Sequence, residues 1–457
     1  MEEDNNLQSI NLDYVNNNNL SIIDETPELT TLIDETDTQS SRGSILTKKI
    51  RLKLSKGYTI HTVIKSISYS INETSFILPF CLRKLGIISF LITLIILSLS
   101  SVYIFQLLID EIVKFNLYEN YHNIIQKKTN KIFNSIYYIS NIIYHFLIII
   151  FEIYFYLFLC NKILSFYDIT FNEIFYEKFI ILLISLIVIK FPFSFVKRFK
   201  YPDLIYIIIA IFTIIINIIC FIFVITGNKI QLIKINIFKG FSKDYSICFS
   251  IIMNVVGWQS QISKLLNDYK IKSIKRFYKV VYLSFLIEII LIVFISFVVA
   301  PLIDDNNDII IFLLDYNNLK PIPLFITRVM ALIFCFFIHI IIAHHMHLIQ
   351  ENIILFLKLI SNKKEYAFYD KKYFSVISKF FILVSSNAVC LLIDDISLII
   401  ILYGGIFTII INYICPTALY SYLVSKNSII VWLAWAICFI VISIGIIFFI
   451  LNILLKW

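Results

Sequence analysis

The chain has 457 residues, of which 59% are hydrophobic and only 15% are charged, and its formal net charge is +8. This composition excludes a soluble globular protein and indicates a membrane protein that crosses the bilayer several times. The positive charge does not indicate nucleic-acid binding, because lysine and arginine cluster between the apolar segments, where they orient the chain in the membrane.

Residues 1–57 are polar and rich in asparagine, which predicts a disordered tail. We expect no cleavable signal peptide ahead of the first membrane span, which should itself act as the insertion signal. Within the tail, residues 28–33 match an acidic dileucine sorting pattern, in which three residues separate Glu28 from a Leu-Ile pair that begins at Leu32. Such a short pattern also arises by chance, so a vacuolar, endosomal-lysosomal or plasma membrane location stays open.

A helix needs about 20 apolar residues to cross a bilayer. By this measure residues 58–455 form one membrane domain, and we predict an all-α protein with eleven spans. The boundary between the ninth and tenth spans depends on Asp394 and Asp395, which are expected in a tight aqueous turn. The predicted spans are 58–80, 87–109, 133–162, 179–195, 204–226, 244–264, 278–302, 322–347, 374–393, 396–415 and 428–455.

The basic residues between these spans favour a cytosolic N-terminus, because cytosolic loops carry an excess of lysine and arginine. Two loops on the opposite side, after Lys84 and around Lys234, carry the contrary bias. The basic clusters assigned to the cytosol lie at 48–56, 127–131, 197–200, 270–276 and 363–372.

The first predicted span is interrupted by a polar run, Asn72-Glu73-Thr74-Ser75, followed by Phe76-Ile77-Leu78-Pro79-Phe80 and a loop that ends at Gly86. A segment late in the chain begins with Gly404-Gly405 and ends with Pro416-Thr417-Ala418-Leu419. Both segments resemble the first and tenth spans of the amino acid/auxin permease family, whose members have eleven spans. The chain departs from the family where Asn72 and Thr74 replace the two glycines of the first interruption.

The resemblance implies a LeuT-like fold, with two inverted repeats of five helices plus one extra helix. In such folds the first and sixth spans are broken at mid-membrane and bind the substrate there. It also implies a secondary active transporter that moves amino acids by alternating access. His339 in the eighth span favours coupling to protons, because an imidazole can carry a proton and does not easily bind sodium. Sodium coupling and an amino-acid-sensing receptor on the same scaffold remain alternatives.

The candidate substrate-binding residues lie at the two expected interruptions and on one aromatic position of the third span. Asn254 and Gly257 fall near the middle of the sixth span, where glycine makes unwinding easier. The full candidate set is Asn72, Glu73, Thr74, Ser75, Asn254, Gly257 and Tyr154.

Ionisable residues inside membrane spans are costly and often functional, which makes Glu73, Glu152, Glu288 and His339 candidates for proton coupling. The cluster of histidines at 344, 345 and 347 is expected at the cytosolic interface. A di-iron membrane enzyme would need several such clusters, and the other histidines are isolated in sequence, so we predict neither an enzyme nor a metal or other cofactor. The expected partners are an amino acid, a coupling proton or sodium ion and lipid, with the protein acting as a monomer.

Overall fold

The computed structural model describes residues 59–71, 75, 77–114, 121–165, 174–187, 202–225, 235–239, 244–269, 274–302, 321–361, 369, 372–393, 396–423 and 428–454. Helix predominates in these residues, which contain no β-strand. The predicted tail at 1–57, the residues Asn72, Glu73 and Thr74, and the Asp394–Asp395 pair lie outside the described residues.

The helices follow the apolar segments of the sequence. In chain order they are α1 (Thr59–Ser70), α2 (Leu78–Leu85), α3 (Ile87–Lys114), α4 (Tyr121–Lys128), α5 (Lys131–Ser165), α6 (Ile174–Ser185), α7 (Pro202–Ile225), α8 (Asp244–Val256), α9 (Ile262–Asp268), α10 (Ile274–Val299), α11 (Pro321–Ile360), α12 (Lys372–Leu392), α13 (Ile396–Leu423) and α14 (Ile429–Leu454).

The prediction of an all-α membrane protein is confirmed. Among the described residues, seven helices are long and apolar enough to cross a membrane, and these belong to α3, α5, α10, α11, α12, α13 and α14. Large apolar side chains remain exposed along them: Leu99, Trp432 and Phe439 keep 66%, 69% and 71% of their surface accessible. A soluble protein buries most such side chains, whereas lipid covers them in a membrane.

The helix that contains the eighth predicted span is longer than the span. The sequence places the end of the span at residue 347, and α11 continues to Ile360. At 1.5 Å per residue this adds about 20 Å of helix beyond His347. His344 and His345 therefore lie within the helix, and His345 is buried.

Two of the predicted spans are each divided into two helices. The first consists of α1 and α2 on either side of residues 71–77, and the sixth consists of α8 and α9 on either side of Gly257 and Trp258. Helix α2 packs against α8, and α1 packs against α9. Because the first half of one pair meets the second half of the other, the two interrupted segments run antiparallel. Helix α10 contacts both α1 and α2.

Candidate ligand cavity at the helix interruptions

The interruption between α8 and α9 begins at a glycine that no other residue can replace without movement. A Cβ atom at Gly257 would lie 2.6 Å from the carbonyl oxygen of Met253 and 2.7 Å from the Cγ2 atom of Thr408. After Trp258, a short 3₁₀ turn over Gln259–Gln261 leads into α9. Glycine therefore permits the close approach of α13 at the point where the helix is interrupted.

The backbone groups released by this interruption are bound by Asn412 of α13. Its side-chain amide nitrogen donates to the carbonyl oxygen of Gly257 at 2.6 Å, and its side-chain oxygen accepts from the N–H of Ser260 at 3.1 Å. Asn412 is itself buried. Buried backbone polar groups need a partner, so Asn412 stabilises the non-helical segment in a place that lacks regular helix hydrogen bonds.

Helix α13 has an unusual backbone where it supplies this asparagine. It is a π-helix over Ile401–Phe407 and again over Ile410–Ile414. It also approaches α8 closely, since a Cβ atom at Gly404 would lie 2.5 Å from the carbonyl oxygen of Ser250. Wide turns of this kind are frequent at functional sites, and here they bring Asn412 to the interruption.

Glu288 of α10 lies between the two interruptions. The residue is fully buried, and its Oε2 atom accepts a hydrogen bond from the indole N–H of Trp258 at 3.1 Å. The hydroxyl of Ser70, the last residue of α1, lies beside the same carboxyl group. The Trp258 ring is held by Phe105 and Phe285, at centroid distances of 4.3 and 5.4 Å. This carboxyl group thus bonds to a residue of one interrupted segment and lies near a residue of the other.

A cavity of about 280 Å³ opens beside the α8–α9 interruption. Its walls come from α1, α4, α5, α7, α8, α9, the second half of α11 and α13, and they combine aromatic rings with polar groups. The polar lining includes Asn141, Tyr144, His145, Asn254, Ser260, Gln261, Lys264, His344, His345, Glu351, Asn352 and Asn412.

Several of these groups contact one another across the cavity. The hydroxyl of Tyr144 donates to the side-chain oxygen of Asn254 at 3.3 Å. The Lys264 ammonium group lies 6.0 Å from the ring centroid of Tyr69. At the margin of the cavity, burial raises the pKa of Tyr121 well above its usual range, so its phenol stays protonated. The cavity therefore offers hydrogen-bond donors and acceptors, aromatic faces and charges of both signs.

The predicted substrate-binding residues divide into three groups. Asn254 and Gly257 line the cavity. Ser75 is buried and donates to the carbonyl oxygen of Ser70 at 3.3 Å, whereas Tyr154 is half-buried on α5, and neither residue is part of the cavity wall. The remaining candidates, at positions 72 to 74, lie outside the described residues.

The predicted coupling residues are also separated in space. Glu288 bridges the interruptions as described above. Glu152 of α5 and His339 of α11 are buried, and neither lines the cavity. The Nδ1–H of His339 donates to the Cys335 carbonyl oxygen at 2.6 Å, and its ring contacts Tyr156 edge-on. His339 thus bonds within its own helix.

Two features of this region are not among the sequence-based predictions. Asn412 is a lone amide in an apolar run, and this pattern alone is a signal for a functional intramembrane polar residue. His145 and His345, by contrast, meet across the cavity although they are far apart in sequence, and no local pattern predicts that contact.

No protein-family model matches the chain, and no curated protein is significantly similar to it. Among the described residues, no group of three or more His, Cys, Asp or Glu side chains is arranged to hold a metal ion.

Proposed function

We propose that the chain is a secondary active transporter that moves amino acids across a membrane by alternating access and is coupled to protons. The proposal includes the finer architecture, with eleven spans in a LeuT-like fold of the amino acid/auxin permease type. The observation that carries it is the position of Glu288, a buried carboxyl group that contacts both interrupted helices beside a polar cavity.

The cavity suits a small solute with both polar and apolar parts. Interrupted helices in a membrane are tolerated where they line a cavity, and their ends present unpaired backbone donors and acceptors to a ligand. The described walls add amide groups at Asn254 and Asn412, a cation at Lys264 and a carboxylate at Glu351. An amino acid carries an ammonium group, a carboxylate and a side chain, and these walls offer groups that complement each of the three.

Glu288 supports coupling to protons rather than to a bulkier ion. An ionised carboxylate in a buried site is costly unless several groups bind it, whereas the protonated form is neutral. The hydrogen bond from Trp258 holds the group next to one interruption, and Ser70 lies at the other. Gain or loss of one proton would therefore change the contacts of both interrupted helices together.

The proposal is tested by uptake of labelled amino acids into proteoliposomes that contain the full chain, with and without an imposed pH gradient. We expect uptake of at least one neutral or cationic amino acid, accelerated when the outside is more acidic. Glu288→Gln keeps an acceptor for the Trp258 N–H but cannot bind a proton. We expect this variant to lose the acceleration while exchange of substrate without a gradient continues.

Two variants serve as controls for the position of the coupling group. Glu152→Gln and His339→Gln change buried ionisable residues that do not line the cavity, and we expect both to retain a response to the pH gradient. Uptake driven by sodium alone would contradict proton coupling. Binding of amino acids without any flux would contradict transport and favour a receptor.

A further inference from the structure

Two histidines from different helices share a hydrogen bond on the cavity wall. The Nδ1 atom of His145 on α5 lies 3.0 Å from the Nδ1 atom of His345 on α11. The ring centroids are 5.1 Å apart with the planes tilted by 34°. Both residues line the cavity, and α5 and α11 pack against each other along their length. The contact therefore connects two major walls of the cavity.

The hydrogen bond limits how many protons this pair can hold. Each neutral imidazole carries one N–H, so in the neutral pair one Nδ1 donates and the other accepts. A first added proton goes to the Nε2 atom of the donor ring, and the bond becomes a stronger one from an imidazolium ion. A second proton must take the lone pair of the accepting Nδ1, which removes the bond and places two cations together. The packed arrangement thus accommodates one added proton.

The net formal charge of the cavity wall depends on this added proton, because the other charges on the wall balance. The charged side chains on the same cavity are Lys264 of α9 and Glu351 of α11, whose formal charges cancel. His344 is the third imidazole of the cavity, and its ring contacts Tyr206. Lys65 of α1 and Lys379 of α12 are buried, and neither is part of the cavity wall.

The remaining titratable groups on these walls are phenols, which are neutral in the range where histidine titrates. They belong to Tyr69, Tyr121, Tyr137, Tyr144, Tyr206 and Tyr403. A proton added to the histidine pair therefore changes the net formal charge of the wall from zero to positive, as long as His344 stays neutral.

We propose that His145 and His345 form a one-proton site of the cavity, and that the singly protonated pair attracts the carboxylate of the ligand. The identity of this ligand as an amino acid rests on the function proposed above, whereas the proton site itself does not. Protonation of the pair and binding of a carboxylate then favour each other, so the pair makes binding of the solute stronger at acidic pH and leaves the proton that drives transport to Glu288.

The proton site is tested by thermal unfolding of the purified full-length protein between pH 7.5 and pH 5.5. Two separate histidines take up two protons in the unfolded chain at the acidic end, whereas the packed pair holds one. The unfolded state then binds more protons, so stability falls as the pH is lowered. In His345→Gln the amide still accepts a bond from His145, and both states bind one proton. Relative to the double variant His145→Gln/His345→Gln, we expect the Tm of the unaltered protein to fall by about 1–3 °C more and that of His345→Gln to fall equally. If His345→Gln also falls more than the double variant, and the unaltered protein about twice as much, the folded pair holds no proton and the proposal is overturned.

Matched variants separate the pair from its neighbours. His145→Gln should reduce the pH dependence as His345→Gln does, and it also serves if one of the two variants does not fold. His347→Gln changes a histidine of the same helix that does not line the cavity, and it should keep the full pH dependence. Equal pH dependence in the unaltered protein and in both variants of the pair would overturn the proposal.

The ligand part is tested by equilibrium binding of labelled leucine and alanine over the same pH range. We expect the affinity of the unaltered protein for at least one of them to rise about tenfold at the acidic end, as for a charge-assisted hydrogen bond. In the double variant His145→Gln/His345→Gln, which takes up no proton at this position, the rise should be less than half as large. A pH-dependent Tm without binding of either amino acid supports the proton site and counts against the proposed function. A rise that is unchanged in the double variant overturns the role in ligand binding.

Discussion

The two interrupted spans meet at two ends, α2 with α8 and α1 with α9, and these ends differ in how closely their residues pack. At one end α2 packs on α8, and every α8 residue from Tyr245 to Val256 is buried. Seven of the eight α2 residues are buried too, and only Lys84 at the tip is partly exposed. At the other end, where α1 meets α9, the polar residues Gln261 and Lys264 are partly exposed and line the cavity.

This difference follows from the residues available at each end. The apolar side chains of α2 and α8 gain from mutual burial at about 25 cal/mol per Å², which closes their end. Amides, histidines and charges around α1 and α9 lose their hydration when they are packed without partners, which favours a cavity there. In the proposed transport cycle, a state closed at one end and open at the other is one of the two alternating states.

The largest expected effect comes from Gly404, which lets α13 approach the closed end. In Gly404→Ala the new Cβ atom would lie 2.5 Å from the Ser250 carbonyl oxygen, so the backbone of α8 must move. We expect a loss of about 3 kcal/mol in the free energy of unfolding. Thermal unfolding in detergent measures it.

The matched control for this prediction is Gly445→Ala on α14. There the nearest atoms to a new Cβ are side-chain carbons at 3.4 and 3.5 Å, which is ordinary contact. Alanine is also the better helix former, so this variant should be neutral or slightly stabilised. Equal losses in the two variants would show that the close approach of α13 to α8 does not maintain the closed end.

The second-largest effect is expected at Asn412, which stabilises the interruption between α8 at the closed end and α9 at the open end. Asn412→Ala leaves the Gly257 carbonyl oxygen and the Ser260 N–H without this partner. We expect a loss of about 2–3 kcal/mol, the range for buried polar groups left unsatisfied, together with weaker ligand binding. Asn217→Ala is the control, because Asn217 is equally buried but bonds to the Thr213 carbonyl oxygen within its own helix. Similar losses would contradict a special role for Asn412.

The sequence predicts the helical architecture well for a physical reason. Long apolar runs leave a chain in lipid no alternative to helix, so α3, α5 and α14 could be read from composition. The interruption at Gly257 could be predicted as well, because a glycine beside Asn254 weakens a helix in the place where the resemblance expects a break.

The contacts that build the cavity could not be predicted in the same way. Asn412 reaches Gly257 because α13 widens into a π-helix, and no local pattern in the sequence indicates that widening. The histidine pair depends on the register between α5 and α11, which is fixed by packing along both helices. Glu111 was missed because the predicted second span stops at residue 109, whereas α3 continues and buries it.

A smaller effect is expected at Trp258, which connects the open end to Glu288. Trp258→Phe removes the indole N–H that donates to Glu288 and keeps an aromatic ring against Phe105 and Phe285. We expect a loss of about 1–2 kcal/mol in the free energy of unfolding. Trp432→Phe changes an exposed tryptophan and should be close to neutral. If the two substitutions cost the same, the hydrogen bond to Glu288 does not stabilise the junction.

The smallest effect is expected at the tip of the closed end. The Lys84 ammonium nitrogen lies 3.7 Å from the Oδ2 atom of Asp244, and both side chains are partly exposed. Water and salt screen such a pair, so we expect Lys84→Ala to cost less than about 1 kcal/mol and the difference to shrink at high ionic strength.

Thiol labelling would measure the consequence of that substitution for the closed end. Cys81 of α2 and Cys248 of α8 are fully buried between the two helices, with the Cys81 thiol 3.9 Å from the Cys248 carbonyl oxygen. If Lys84→Ala destabilises the contact between α2 and α8 by about 0.5 kcal/mol, the population in which this contact is open roughly doubles. Site-resolved mass spectrometry should then show about twofold faster labelling of both cysteines, and no change in Lys275→Ala, which alters an exposed lysine at the start of α10. Unchanged labelling in Lys84→Ala would mean that apolar packing alone keeps this end closed, and that the ion pair contributes nothing to the difference between the two ends.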